Sequence, residues 1–255
     1  MPLLDLQTAL GSLVVARAAS ARPGDHPPTL PGRLDLSSAE RAWLARLADT
    51  PGLGVTCYIQ RWWRRTRLLW TARLTLAALG ADLAASTIEE YLDAVPGSSL
   101  YFTSEALGLL DLIIQSPPPA PHVGAVARFE RALILAAEDA DTASPGPAPV
   151  RPMPSLLQAV AAHPSAALVP FEAPIEGVLA TLLYGGSMPP PGDQTSFVLV
   201  SPGLPQLWRP ASPEEARLFA LCRPPVTLGR LLAEVEGAES AFHGLWAAGA
   251  LGLDA

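Results

Sequence analysis

The sequence contains no lysine; all 17 of its basic residues are arginine. Together with heavy use of Ala, Pro, Gly and Leu, this reads as GC-rich codon choice, so a single arginine says little about function. Cysteine is equally scarce. Cys57 and Cys222 lie 165 positions apart, which makes neither a disulfide framework nor a paired metal-ligand spacing, and both read as small buried hydrophobes. The four histidines, His26, His122, His163 and His243, are solitary, and H-x3-H, C-x2-C and H-E-x-x-H are absent. No metal is therefore expected on this chain alone. G-x-S-x-G is missing too, and Gly185-Gly186-Ser187 lacks the lysine of a phosphate loop. Glu89-Glu90 and Glu214-Glu215 read as favourable charges in first helical turns rather than as an acid/base pair.

Long apolar runs are also lacking. The stretch 166–186 is broken by Pro170, Glu172, Pro174 and Glu176, so it cannot present about 20 consecutive apolar residues to a bilayer. Met1-Pro-Leu-Leu-Asp-Leu has no positively charged start and carries Asp5 where a signal core would run. The expectation is a cytoplasmic protein. With 49% hydrophobic residues over 255 positions, the chain can bury one large core or two small ones.

Asp141 to Pro154, DTASPGPAPVRPMP, cannot propagate a helix, and a linker is expected over 141–155. The preceding 1–140 read as an all-α domain. Leu3 to Ala18 is apolar, 21–30 holds prolines, and Ser37-Ser38-Ala39-Glu40 opens a helix whose stripe is Trp43, Leu44 and Leu47. A single long helix is predicted from Val55 to Leu79, burying Tyr58, Trp62, Leu69, Leu76 and Leu79, with Ile59, Trp63, Trp70 and Leu74 widening the face. Ser86-Thr-Ile-Glu89 predicts a capping box for a short helix stopped by Pro96-Gly97. Helices follow from Thr103 or Ser104 and from Val123 to Glu138.

After the linker, Phe197–Val200 and Gln206–Arg209 flank a Pro-Gly turn and predict a β-hairpin. Ser212-Pro213-Glu214-Glu215 predicts a capped helix through Leu218, Phe219 and Cys222. Thr227 caps the next, with Leu228, Leu231, Leu232 and Val235 at helical spacing, and Ser240 to Ala248 repeats the pattern with Phe242, Leu245 and Trp246. A terminal apolar Ala250–Leu253 completes the pattern. The fold expected is α+β: an all-α N-terminal domain followed by a small winged-helix-like α/β domain, 156–255, with a short antiparallel sheet.

Two sites are expected. Arg61, Arg64 and Arg65 share one helical stripe within Arg61-Trp-Trp-Arg-Arg-Thr-Arg67, where no acid occurs from 62 to 80, and suit a partner's acidic surface. An extended peptide is expected to add a strand beside Gln206, Leu207, Trp208 and Arg209, with Phe242 and Trp246 supplying a pocket for its side chains. A DNA-binding regulator is the rival. Residues 1–140 carry 12 Arg and 14 Asp+Glu, net −2, and residues 141–255 carry 5 Arg and 10 Asp+Glu, net −5, with no Arg in 240–248. That charge is wrong for phosphate neutralisation. A stand-alone enzyme built from the scattered histidines is the third alternative.

Four segments carry a family resemblance: Tyr58-Ile-Gln-Arg-Trp-Trp-Arg-Arg-Thr-Arg67, Glu90-Tyr-Leu-Asp-Ala-Val-Pro96, Tyr101-Phe-Thr-Ser-Glu-Ala106 and His122-Val-Gly-Ala-Val-Ala-Arg-Phe-Glu-Arg-Ala132. In this order, over residues 57–140, they resemble the C-protein-like partner subunits of multinuclear non-haem iron enzymes that modify ribosomally made peptides, the family that includes the methanobactin C proteins. The resemblance implies a non-catalytic heterodimer partner that holds the precursor's leader, with no cofactor of its own and the iron in the partner enzyme. From the charge balance and the interrupted apolar runs, no nucleic-acid or membrane partner is expected.

Overall fold

The computed structural model describes residues 3–19, 34–95, 102–117, 120–142, 152–235 and 237–254. The expected loop at 21–30, the Pro96-Gly97 stop, Tyr101 of the third resembling segment and most of the proline-rich linker lie outside them. Among the described residues the fold is mixed α+β, with eleven helices and two three-stranded antiparallel sheets. No helix among them is long and apolar enough to cross a membrane.

Contacts divide the chain into two units, Met1–Arg73 with Ala81–Leu109, and Leu74–Gly80 with Leu110–Ala255. The first unit is helical. Its helix α1 (Leu3–Ala19) contributes Ala9 and Leu13 to a core shared with Leu44 of α2 (Ser38–Ala48) and with Leu53 and Cys57 of α3 (Pro51–Thr71). Ser37 and Glu40 form the expected capping box on α2. Trp43 of the expected stripe is, however, 43% exposed while Leu44 is buried. Helix α5 (Ala81–Ala94) runs straight through Ser86, whose hydroxyl donates to Leu83 O at 3.0 Å, so the expected capping box at 86–89 is an interior turn instead. Propensity for a cap yields here to a continuous apolar face of Ala84, Ile88, Tyr91 and Leu92. Helix α6 (Phe102–Gln115) begins in this unit and buries Ala106 and Leu109.

The expected single helix 55–79 is two. Helix α3 ends at Ala72, whose φ −110 and ψ 32 leave the helical region, and α4 (Arg73–Leu79) restarts beyond it. No proline or glycine marks this break, which explains why periodicity ran through it.

The second unit contains α4 from Leu74 onward and α7 (Val123–Thr142), both expected in the N-terminal domain. The reason is packing. Val126, Phe129, Ala132 and Ala136 of α7 share a core with Val169 and Phe171 of β2 (Ala167–Phe171), Val178 of α8 (Ile175–Tyr184), and Val198 and Val200 of β3 (Ser196–Val200). Leu199, pointing the other way, joins Leu218, Leu231, Phe242 and Leu245 of α9 (Pro213–Leu221), α10 (Leu228–Glu234) and α11 (Ala238–Ala247). Strand β3 is thus buried on both faces, which is why Phe197–Val200 is a continuous apolar run rather than an alternation.

The expected hairpin is present, shifted. Strand β3 pairs antiparallel with β4 (Trp208–Ala211), through Val200↔Trp208 and Phe197↔Ala211, and with β2 on its other side. Gln206 and Leu207 lie in the turn, where Leu207 has φ 62. Gly203 of this turn comes so close to α11's end that a Cβ would stand 2.5 Å from Ala248 O. The terminal strand β6 (Leu251–Leu253) does not join the hairpin. It pairs with β1 (Ala159–Ala162), whose other neighbour is β5 (Val226–Thr227). Strands this short carry no sequence mark of their partner, and β1, β2 and α8 were not foreseen.

Candidate partner and peptide surfaces

The residues singled out above fall in both units, the arginines of α3 in the first and the expected peptide-site residues in the second. On α3 the helical faces are the reverse of expectation. Leu53, Cys57 and Leu68 are buried, while Tyr58, Trp62 and Trp70 are exposed by 68%, 50% and 77%. Ile59, Trp63 and Leu69 accompany them at 46–47%. The spacing 58, 59, 62, 69, 70 places these side chains on one stripe, with the rings of Trp62 and Trp63 edge to face at 5.0 Å.

Two of the three arginines expected to meet a partner, Arg61 and Arg64, turn inward instead. Arg61 forms a very short ion pair with Glu89 and a 2.8 Å pair with Asp93, both on α5. Arg64 donates through Nε to Glu105 Oε1 on α6 at 2.8 Å and through Nη2 to Val95 O at 2.8 Å, with its guanidinium 5.9 Å from the centre of the Tyr91 ring. Glu105 is 4% exposed. Arg65 alone of the three stays half exposed, at 3.4 Å from Glu89. The acids that neutralise the stripe come from helices 24 to 41 positions away, so no local pattern on α3 could reveal them. Paired, fixed arginines release the aromatic stripe to solvent.

No protein-family model matches this chain, and no curated protein matches it either.

In the second unit the expected peptide-site residues divide between two cores. Leu207 and Trp208 pack in the α7–α8 cluster, where Trp208 meets Phe129 edge to face at 5.8 Å. Phe242 and Trp246 lie in the α9–α11 cluster, stacked on each other at 5.7 Å and 1% and 7% exposed. They form no common pocket. The indole Nε1 of Trp246 is buried with no hydrogen-bond partner among the described residues. Arg209 does not face a ligand either. Its guanidinium grips Glu215 through Nη1–Oε2 at 2.9 Å and Nη2–Oε1 at 2.5 Å, and Glu215 also accepts the Ser212 N–H of the α9 capping box. A Cβ on Gly244 would stand 2.5 Å from Glu215 Oε1, so α11 approaches this pair closely.

Burial pushes the Glu215 carboxyl up, but the bonds from Arg209 and the Ser212 backbone outweigh it and hold the group below its ordinary value. A depressed carboxylate contributes stability above its unfolded pKa and loses it as pH falls through the folded one. The wild-type melting temperature is therefore expected to drop as pH falls below about 4. In Glu215→Gln this component of the pH dependence is absent, and thermal melts of both proteins at several pH values check it. Burial alone pushes the Cys222 thiol up to about 12, which makes it an inert core group.

The sheet edges differ as acceptors of a strand. The edge strands β2 and β4 each contain a proline, Pro170 and Pro210, opposite Phe197 and Val198. Proline is tolerated in a paired strand where its missing N–H faces away from the ladder, so both outer edges lack a donor. On β6, Ala250 O accepts from His163 N–H at 2.8 Å and Asp254 N–H donates to Ala159 O at 3.1 Å. By the alternation of an antiparallel ladder, Gly252 faces β1 and the backbone of Leu253 faces outward. The Leu253 side chain is 52% exposed. Among the described residues no three His, Cys, Asp or Glu side chains converge as a metal-binding group.

Proposed function

We propose that this chain is a non-catalytic subunit that binds the leader of a ribosomally made precursor peptide and presents it to a multinuclear non-haem iron enzyme. The observation that carries the peptide-binding part is Leu253 at the end of β6, whose backbone faces away from β1 and whose side chain is exposed. The order α9, β5, α10, α11, β6 supports this reading, being the helix and strand order expected of a winged-helix-like unit, with β1 lying between β5 and β6. Such a unit accepts an extended peptide on a sheet edge through backbone hydrogen bonds, with side-chain contacts for specificity. Among the described residues β6 is an edge strand without a proline, and Leu253 at its end is exposed. The leader thus adds beside Leu253 rather than beside Gln206–Arg209, with Phe242 and Trp246 in the core that also holds Leu251 of β6. The partner-subunit part rests on the four resembling segments within 57–140 and on the exposed α3 stripe.

Leu253→Pro tests the reading, because it removes an outward donor without removing a bond to β1. Anisotropy titration of labelled leader into the full chain is expected to show tenfold or greater loss of affinity with a nearly unchanged melt. Unaltered affinity in this variant, or no leader binding by the wild-type chain, overturns the proposal.

A further inference from the structure

The α3 stripe is a large exposed apolar surface. Applied to aromatic side chains of about 150–250 Å² and somewhat smaller aliphatic ones, the exposures of Tyr58, Ile59, Trp62, Trp63, Leu69 and Trp70 leave roughly 500–750 Å² of contact surface. The largest apolar patch on a typical monomer is about 300–600 Å², whereas one side of a standard protein interface buries about 800 Å². Tryptophan and tyrosine, four of these six residues, are also the types that dominate binding energy at interfaces.

Charge selects the occupant. Helix α3 holds four arginines and no acid. Arg61 and Arg64 are occupied by Asp93 and Glu105, but Arg65 is half exposed at the stripe's margin and Arg73 is exposed just beyond its C-terminal end. A second copy of the chain would bring the exposed Arg65 and Arg73 of one stripe to another stripe that offers cations and no carboxylate of α3. A partner with an apolar helical ridge bordered by carboxylates covers the tryptophans and gives Arg73, and Arg65 beyond its 3.4 Å contact with Glu89, a further acceptor.

From this we propose that the exposed face of α3 is a docking site for a carboxylate-bordered apolar helix of a partner protein. This rests on the reading of the chain as a partner subunit and places the contact on the tryptophans, with Arg61 and Arg64 as internal scaffolding that positions them.

The test uses the full chain and two synthetic amphipathic helices with the same leucine ridge, one bordered by Glu and the other by Lys. The Glu-bordered helix is expected to bind with a blue shift of tryptophan emission, and the Lys-bordered one at least tenfold more weakly. Trp62→Ala and Trp70→Ala, both at solvent-exposed positions, are expected to lose about thirtyfold or more in affinity with unchanged melts. Light scattering is expected to find the chain alone monomeric, and vesicles containing phosphatidylserine are expected not to retain it. Equal binding of the two helices, no binding of the Glu-bordered one, a stripe-dependent homodimer or stripe-dependent vesicle binding overturns the proposal. Leader affinity is read on the same variants. Its persistence when helix capture is lost separates this site from β6, and failure of leader binding with helix capture intact strikes only the leader-binding reading.

Discussion

Phe129→Ala is expected to cost the second unit about 3–5 kcal/mol, the range for deleting a fully buried phenylalanine. Phe129 is 1% exposed and stands edge to face with both Phe171 at 6.0 Å and Trp208 at 5.8 Å. It therefore ties α7 to β2 and to β4 at once. Amide hydrogen exchange is the decisive measurement, because it reads each segment separately. Protection in β2, β3 and β4 is expected to fall together with that in α7, while α2 and α3 keep theirs. If the strands stay protected and the helices of the first unit open instead, α7 belongs with the N-terminal helices, as its sequence position suggests.

Glu130→Ala is expected to be almost as damaging, by about 3 kcal/mol, since two buried N–H groups lose a charged acceptor. The Glu130 carboxylate, 5% exposed, accepts from Leu74 N–H through Oε1 and from Thr75 N–H through Oε2, each at 2.9 Å. It thereby caps the first turn of α4 from a helix more than fifty positions away and holds Leu74 against the α7–β2 core. Glu130→Gln keeps one acceptor oxygen and is expected to recover about half of the loss. Denaturant titration followed by hydrogen exchange in α4 checks both variants. Equal stability of Glu130→Ala and wild type would remove the carboxylate's role as a cap.

Both effects arise from residues that the sequence placed on a helix without revealing what the helix touches. Val126, Phe129 and Leu133 were legible as the apolar face of α7, because 3.6-residue periodicity is a local property. The strands that cover this face were not legible, since β1 and β2 are only four and five residues long and rich in alanine and proline. Pro170 within β2 argued against a strand unless the strand is an edge, and edge position is decided by tertiary pairing.

The candidate sites divide in the same way. The Arg61–Arg67 run was visible as a concentration of charge and aromatic rings on one helix, and its residues do organise a surface. Which of its two faces meets water depended on Glu89, Asp93 and Glu105, carboxylates delivered by α5 and α6. An apolar helical stripe looks the same in sequence whether a core or a partner covers it. For the peptide surface, a hairpin over Phe197–Val200 and Gln206–Arg209 and the helix through Phe242 and Trp246 were readable, but the pairing of the strands into sheets was not. Hydrogen-bond pairing sent the hairpin to β2 and the terminal strand to β1.

The sequence by itself determined helices α1, α2, α7, α9, α10 and α11 and the caps at Ser37 and Ser212, because each depends on residues within about one turn of one another. The tertiary structure decided the division into units, the orientation of α3 and which strands pair in each sheet. Each of those turns on burial and pairing between residues tens of positions apart, where the free energy lies in contacts that no local pattern encodes.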